Sequence, residues 1–331
     1  VINVNRQDGL QFDERAKRRW RRRLLLWYDH GRRDLPWRDD RDPYRVWISE
    51  IMLQQTRVSA VLAHYRRFLR RFHTVQKLAA ARESSVLAAW SGLGYYRRAR
   101  MLQAAAKLVV KQHKGKFPAR PAELRSLPGV GRYTAAAIAS IAFSQPVAVV
   151  DGNVERVLQR ALGRELAQED VWQTAEELLS QERPGDFNQA MMELGATVCL
   201  PRQPRCSVCP VFHLCATRGN LAAPRSVVPQ KRREICYALA TRDGSIFLVQ
   251  RPKHVSLMPG MWELPEIPAG HAPDPVALTL RHSITVTDYR VRVLRCPVQK
   301  ASKGRWVQKR SIARLPLTGL ARKILRQAQI I

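Results

Sequence analysis

Residues 121–143 read PAELRSLPGVGRYTAAAIASIAF. Pro121 suits the first turn of a short helix that runs to about Ser126. Leu127-Pro128-Gly129-Val130-Gly131 breaks it, and two glycines two apart let the backbone turn sharply and present its amide N–H groups. From Tyr133 to Phe143 the run is apolar and alanine-rich, as a buried helix requires. The positive end of that second helix then lies beside the exposed amides, an arrangement suited to holding one phosphate, with Gly129 and Gly131 allowing close approach. The same five residues also serve as an ordinary helix–helix turn.

Two carboxylates flank this stretch. Asp151 lies in Val149-Val150-Asp151-Gly152-Asn153-Val154, just before a helical run, where it reads as an N-cap or as a reactive group; Asn153 is itself a possible cap. Glu50 lies in Trp47-Ile48-Ser49-Glu50-Ile51-Met52-Leu53. There it is either on a solvated face or held near an apolar pocket, which raises its pKa toward that of a general acid at neutral pH. Nothing in one sequence brings the two together.

The chain around them reads as helical through residue 215. Helical periodicity runs through 46–72, 95–111, 133–143, 154–162, 171–179 and 187–198, punctuated by Gly92-Leu93-Gly94, Pro118, Pro146 and Pro184-Gly185. Four cysteines follow as Cys199-x6-Cys206-x2-Cys209-x5-Cys215, a spacing that suits a [4Fe–4S] cluster or zinc better than a disulfide framework. Residues 217–236 read as a polar linker containing Lys231-Arg232-Arg233. Beyond it the period changes. Strands at 237–240 and 246–250 flank the hairpin signal Asp243-Gly244, 283–287 and 289–294 alternate like strands, and 275–281 and 320–329 read as helices. The expected organisation is therefore a helical domain at 1–216, a linker at 217–236 and an α+β domain at 237–331.

Charge indicates the partner. Of 331 residues, 57 are Lys or Arg and 27 Asp or Glu, a net charge of +30 present on both sides of Cys236. Such an excess fits a polyanion, through counterion release, or simply solubility charge on exposed faces. Apolar residues at 45% exclude wholesale disorder, and no apolar run reaches the length of a membrane span. Residues 1–23 are basic without a secretory apolar core, so the expected location is cytoplasmic, associated with the nucleoid.

The order of Leu-Pro-Gly-Val-Gly, then Asp151, then the four cysteines resembles the helix-hairpin-helix DNA glycosylase superfamily. Longer segments resemble its adenine DNA glycosylase (MutY) family. These are Leu35-Pro36-Trp37-Arg38, residues 47–58, Gly92-Leu93-Gly94-Tyr95-Tyr96, Asp151-Gly152-Asn153-Val154, Phe187-Asn188-Gln189-Ala190 and Glu193-Leu194-Gly195-Ala196. The resemblance is dense over about 15–215 and looser beyond, chiefly through residues 258–265.

The resemblance implies an all-helical helix-hairpin-helix glycosylase domain with an iron–sulfur cluster loop, followed by a C-terminal Nudix-like α+β domain. It implies a monomer acting on double-stranded DNA, excising adenine opposite 8-oxoguanine or guanine. Glu50 takes the role of acid toward adenine N7, and Asp151 that of stabilising the oxocarbenium-like sugar, with Tyr133 and Asn153 orienting them. Gln55, Thr56, Leu93 and Tyr95 correspond to residues that enter or brace the duplex once the base is flipped; each is equally a candidate packing residue. Cys199, Cys206, Cys209 and Cys215 correspond to the [4Fe–4S] ligands. Relatives that also cut the backbone carry a lysine where this chain has Tyr133, so the lyase route lacks its amine. The C-terminal domain lacks the Nudix acidic signature, and Val286-Thr287-Asp288 aligns with the Phe-Ser-His loop that recognises 8-oxoguanine, so only Thr287 keeps a hydroxyl. The competing readings are a thymine (G:T) glycosylase of the same superfamily and a non-catalytic iron–sulfur DNA-binding protein.

Overall fold

The computed structural model describes residues 12–220, 231–255, 257–268, 276–284, 287–297 and 304–331. The first eleven helices are α1 (Glu14–Gly31), α2 (Pro43–Leu53), α3 (Val58–Arg71), α4 (Val75–Ala80), α5 (Glu83–Trp90), α6 (Arg97–His113), α7 (Pro121–Arg125), α8 (Arg132–Phe143), α9 (Gly152–Leu162), α10 (Gln168–Leu178) and α11 (Pro184–Thr197). After the cysteine loop come β1 (Lys231–Ala238), β2 (Thr241–Arg242), β3 (Ser245–Gln250), β4 (Trp262–Glu263), β5 (Glu266–Ile267), β6 (Val276–Ile284), β7 (Thr287–Leu294) and β8 (Gly304–Gln308), then α12 (Lys309–Ile312) and α13 (Gly319–Gln327).

The chain forms two compact units that do not follow the expected division. One runs to Gln55 and resumes at Leu108 through the cysteine loop; the other combines Thr56–Lys107 with the C-terminal strands and helices. The expected helical domain 1–216 is thus shared between both. The reason is side-chain bonding remote in sequence: Ser91 and Tyr96 both donate to the Leu317 carbonyl, and Arg100 to that of Pro259.

In the first unit, α2 packs on α8, whose Ala135–Ala139 run lets the two helices approach. Asp42 caps α2 and Pro43 opens it, and the helix is buried along almost its whole length. The periodic run 46–72 is not one helix. It breaks between Leu53 and Val58, where Gln55 takes a left-handed φ of 53°.

In the second unit two four-stranded sheets share a core. One has the order β5-β1-β7-β6, with β1 and β7 parallel; the other has β2-β3-β4, with β8 on the free edge of β3. Tyr237, Leu248, Leu280, Val291, Val293 and Ile324 contribute to that core. The Asp243-Gly244 turn forms as expected, both residues having positive φ. Two expectations are corrected. Residues 276–281 form strand β6 rather than a helix, because Leu278 and Leu280 alternate onto the core and the backbone pairs with β7. The linker also ends earlier, since Lys231-Arg232-Arg233 already pairs with Thr287-Asp288-Tyr289. Residues 221–230 lie outside the described residues, as do 1–11.

Candidate active site

Glu50 sits on the face of α2 that meets α8 and is 5% exposed. Tyr133, in the first turn of α8, donates from Oη to Glu50 Oε2 at 2.6 Å, with Met192 Sδ 3.4 Å from the same Oη. Glu50 Oε1 has no partner among the described residues. Burial raises the Glu50 carboxyl to about 7; the negative charge of Asp151 adds to this, while the Tyr133 hydrogen bond and Arg38 act in the opposite direction. Burial, together with the charges of Glu50 and Asp151, holds the Tyr133 phenol well above its ordinary range. Of the two readings of Glu50, the carboxyl in an apolar pocket, not the solvated face, is the one the fold builds.

Asp151 caps α9. Its Oδ1 accepts from the Asn153 and Val154 backbone N–H groups at 2.9 and 2.8 Å, and its Oδ2 from Asn153 Nδ2 at 2.8 Å. Cap and charged group are therefore one residue. Three further residues, whose roles sequence reasoning missed, hold it in place. Asn188, buried in α11, ties the extended segment before Asp151 by accepting from Val149 N–H and donating to the Val147 carbonyl. Gly195 lets α11 press on the first turn of α9: a Cβ there would lie 2.5 Å from Asn153 Cβ. Arg156 donates to Asn153 Oδ1, Gly195 O and Cys199 O, joining the Asp151 cap to the first cysteine. Gly195 could have been suspected from sequence, because glycine inside a helix costs about 1 kcal/mol without a packing reason.

Behind Glu50, Arg33 and Arg38 both bind the carboxylate of Glu193, Arg33 through Nε and Nη2 and Arg38 through Nη2, at 2.7, 2.7 and 2.8 Å. Burial pushes this carboxyl up, but the two guanidinium groups outweigh it and hold it at about 2. The Leu35-Pro36-Trp37-Arg38 and Glu193-Leu194-Gly195-Ala196 segments thus meet in one ion cluster.

In the hairpin, Gly129 has φ of 77° and Gly131 caps α8. Both are exposed, and neither amide finds a backbone acceptor among the described residues. Gln55 is exposed on its left-handed turn. In the second unit, Tyr95 is 51% exposed while Leu93 is buried, so Leu93 takes the packing reading, and Thr56 Oγ1 accepts from Arg98. Thr287 opens β7 opposite Ile284; next to it Ser283 Oγ donates to Asp288. Val286 lies outside the described residues.

The four cysteines of the 199–215 loop are free thiols. Burial pushes the Cys209 thiol up to about 11, and its neighbours Cys199, Cys215 and Cys206 push it the same way. Arg160 Nη1 donates to Cys199 Sγ at 3.3 Å and offers the positive charge that a set of thiolates requires. A Cβ on Gly219 would lie 3.2 Å from Cys206 Sγ. Among the described residues no three His, Cys, Asp or Glu side chains are gathered as a site for a single metal ion.

Residues 48–181 match the family model described as HhH-GPD superfamily base excision DNA repair protein. The chain is 42% identical over 311 residues to the adenine DNA glycosylase of Rattus norvegicus, covering 75% of this chain and 60% of that one. It is 50% identical over 213 residues to that of Homo sapiens, covering 60% and 39%. It therefore spans about half the length of the curated relatives it matches. Among solved structures, a thermostable thymine-DNA glycosylase is 30% identical with a TM-score of 0.59, covering 62% of this chain and 98% of that one. Since the site residues lie in the matched region or close after it, the chain belongs to the helix-hairpin-helix superfamily of base excision DNA repair proteins, and the curated relatives it resembles are adenine DNA glycosylases.

Proposed function

We propose that this protein is a monofunctional adenine DNA glycosylase that flips and excises adenine mispaired with 8-oxoguanine or guanine. The observation that carries the reading is Glu50: buried, set near neutrality, fixed at one oxygen by Tyr133 and free at the other. An acid so tuned is about half protonated at pH 7 and able to protonate N7, so that adenine departs neutral with the glycosidic electron pair. Positive charge develops at C1′, and the Asp151 carboxylate, oriented by its three donors, offsets it. Water then bonds to C1′ and its surplus proton passes to the ionised Glu50. With Tyr133 in place of an amine, no Schiff base forms and the strand stays intact.

Cys199, Cys206, Cys209 and Cys215 would hold a [4Fe–4S] cluster, a fit supported by four free thiols at that spacing, with Arg160 against both Cys199 Sγ and Cys215 Sγ. Such a cluster supplies rigidity to its loop. The exposed Gly129 and Gly131 amides support phosphate binding, and exposed Gln55 and Tyr95 support contact with the duplex. The mixed sheets support a Nudix-like domain, and Thr287, at the β6–β7 turn, is the proposed contact to 8-oxoguanine.

The test uses labelled duplexes carrying A, T or G opposite 8-oxoguanine or guanine, treated with or without alkali. Excision of A alone, with cleavage only after alkali, is the expected result. Release of thymine from G:T pairs would favour the thymine glycosylase reading, which the solved relative keeps in view, and binding without excision would favour a non-catalytic role.

A further inference from the structure

The Gly92–Tyr96 loop has an unusual backbone. Gly92, Gly94 and Tyr95 take φ of 108°, 73° and 46°, and positive φ at a non-glycine persists only where the surroundings impose it. Local bonds account for its tip. Trp90 Nε1 donates to Gly94 O, Arg98 Nη2 lies at Leu93 O and Gly94 O, and the Arg98 guanidinium stands 5.4 and 5.5 Å from the rings of Trp90 and Tyr95.

The roots of the loop are held from the other end of the chain. Ser91, 2% exposed, donates from Oγ to Leu317 O at 2.8 Å and accepts from Arg322 Nε at 3.0 Å. Tyr96 Oη donates to the same Leu317 carbonyl at 3.0 Å. That carbonyl is itself fixed by β4: Trp262 N–H donates to Pro316 O and Thr318 N–H to Trp262 O, while Thr318 Oγ1 caps α13 at Ala321 N–H. A continuous set of hydrogen bonds therefore runs from the sheet, through residues 316–322, to the residues that bracket the loop. Without it two buried hydroxyls lose their acceptor, and the loop is left unanchored.

We infer that Arg322, acting with the Leu317 carbonyl, is a positioning residue for the Gly92–Tyr96 loop: it fixes Ser91 and so sets how the exposed Tyr95 ring is presented to the duplex during base extrusion. The inference rests on the proposed contact of this loop with DNA. It separates a positioning role of the C-terminal region from any reading of the opposite base, so the effect of losing it is the same for either opposing base.

The experiment uses the full chain and a duplex with 2-aminopurine at the target position, opposite guanine or 8-oxoguanine, followed by stopped-flow fluorescence. Arg322→Ala is expected to slow extrusion about tenfold with both opposing bases, a loss on the scale of a sub-ångström misplacement. Arg322→Lys should restore most of it. The Ser91→Ala/Arg322→Ala double variant should lose no more than Ser91→Ala alone, because both act through one set of bonds. The pH midpoint of excision, set by Glu50, should not move. Tyr95→Ala serves as the reference. Impaired extrusion by Tyr95→Ala with normal extrusion by Arg322→Ala overturns the positioning role and leaves the loop's contact with DNA standing. Normal extrusion by Tyr95→Ala overturns that contact, and the inference with it. Additive losses in the double variant, or a loss confined to one opposing base, also refute the role.

Discussion

Glu50→Gln is predicted to stabilise the protein while disabling it. The Glu50 carboxyl is raised from 4.5 to about 7, chiefly by burial. At about 1.4 kcal/mol per tenfold change in proton affinity, keeping the ionised form in this site costs about 3 kcal/mol. Below pH 4.5 the group is protonated in both folded and unfolded states and the cost vanishes. It grows between pH 4.5 and 7 and is complete above pH 7, so this residue makes the wild type less stable as pH rises. Gln keeps the shape and an oxygen to accept from Tyr133 Oη, but never ionises. Urea unfolding of both proteins at pH 5 and pH 8 should show a small difference at pH 5 and an advantage of up to about 3 kcal/mol for the variant at pH 8. Single-turnover excision should fall by about two or more orders of magnitude, with binding to the mispaired duplex near that of the wild type. A stability difference that does not grow with pH would refute the pocket-acid assignment, and so would near wild-type excision.

Asp151→Asn keeps the cap of α9, since Asn caps about as well as Asp, but removes the charge; excision should drop about a hundredfold in single-turnover assays while binding persists, and the Glu50 pH midpoint should move below about 7 because the repelling carboxylate is gone. Gly195→Ala drives a methyl into Asn153 and should lower the rate of excision by one to two orders of magnitude without a matching loss of DNA affinity, measured by parallel titration. Anaerobically purified protein should be brown and carry about four irons per chain; stoichiometric zinc without iron would remove the cluster.

Glu50, Asp151, Asn153 and the four cysteines were legible as candidates from local chemistry, whereas Tyr133 was reached only through the family resemblance. The hairpin was legible because glycine spacing and helix propensity are properties of neighbouring residues. Legibility failed where long-range partners decide. The 276–281 stretch turned from helix to strand because β7 offered it a pairing edge, and the periodic run 46–72 broke because its continuous apolar spacing does not reveal the turn at Gln55. Asn188, Arg156, Glu193 and Arg322 act on partners from 3 to 231 residues away, and no local pattern announces such pairings.

Taken by itself, the sequence determined the residue types: a glycine hairpin, an acid in apolar company, a cap that is also a carboxylate, and four thiols at cluster spacing. Only tertiary structure decided how these groups behave. Burial against α8 sets the Glu50 proton near neutrality, because desolvation depends on what surrounds a charge, not on its place in the chain. The approach of α11 to α9, permitted by one missing Cβ, fixes Asp151. The pairing of Thr56–Lys107 with the C-terminal region, rather than with its sequence neighbours, decided what anchors the loop that bears Tyr95.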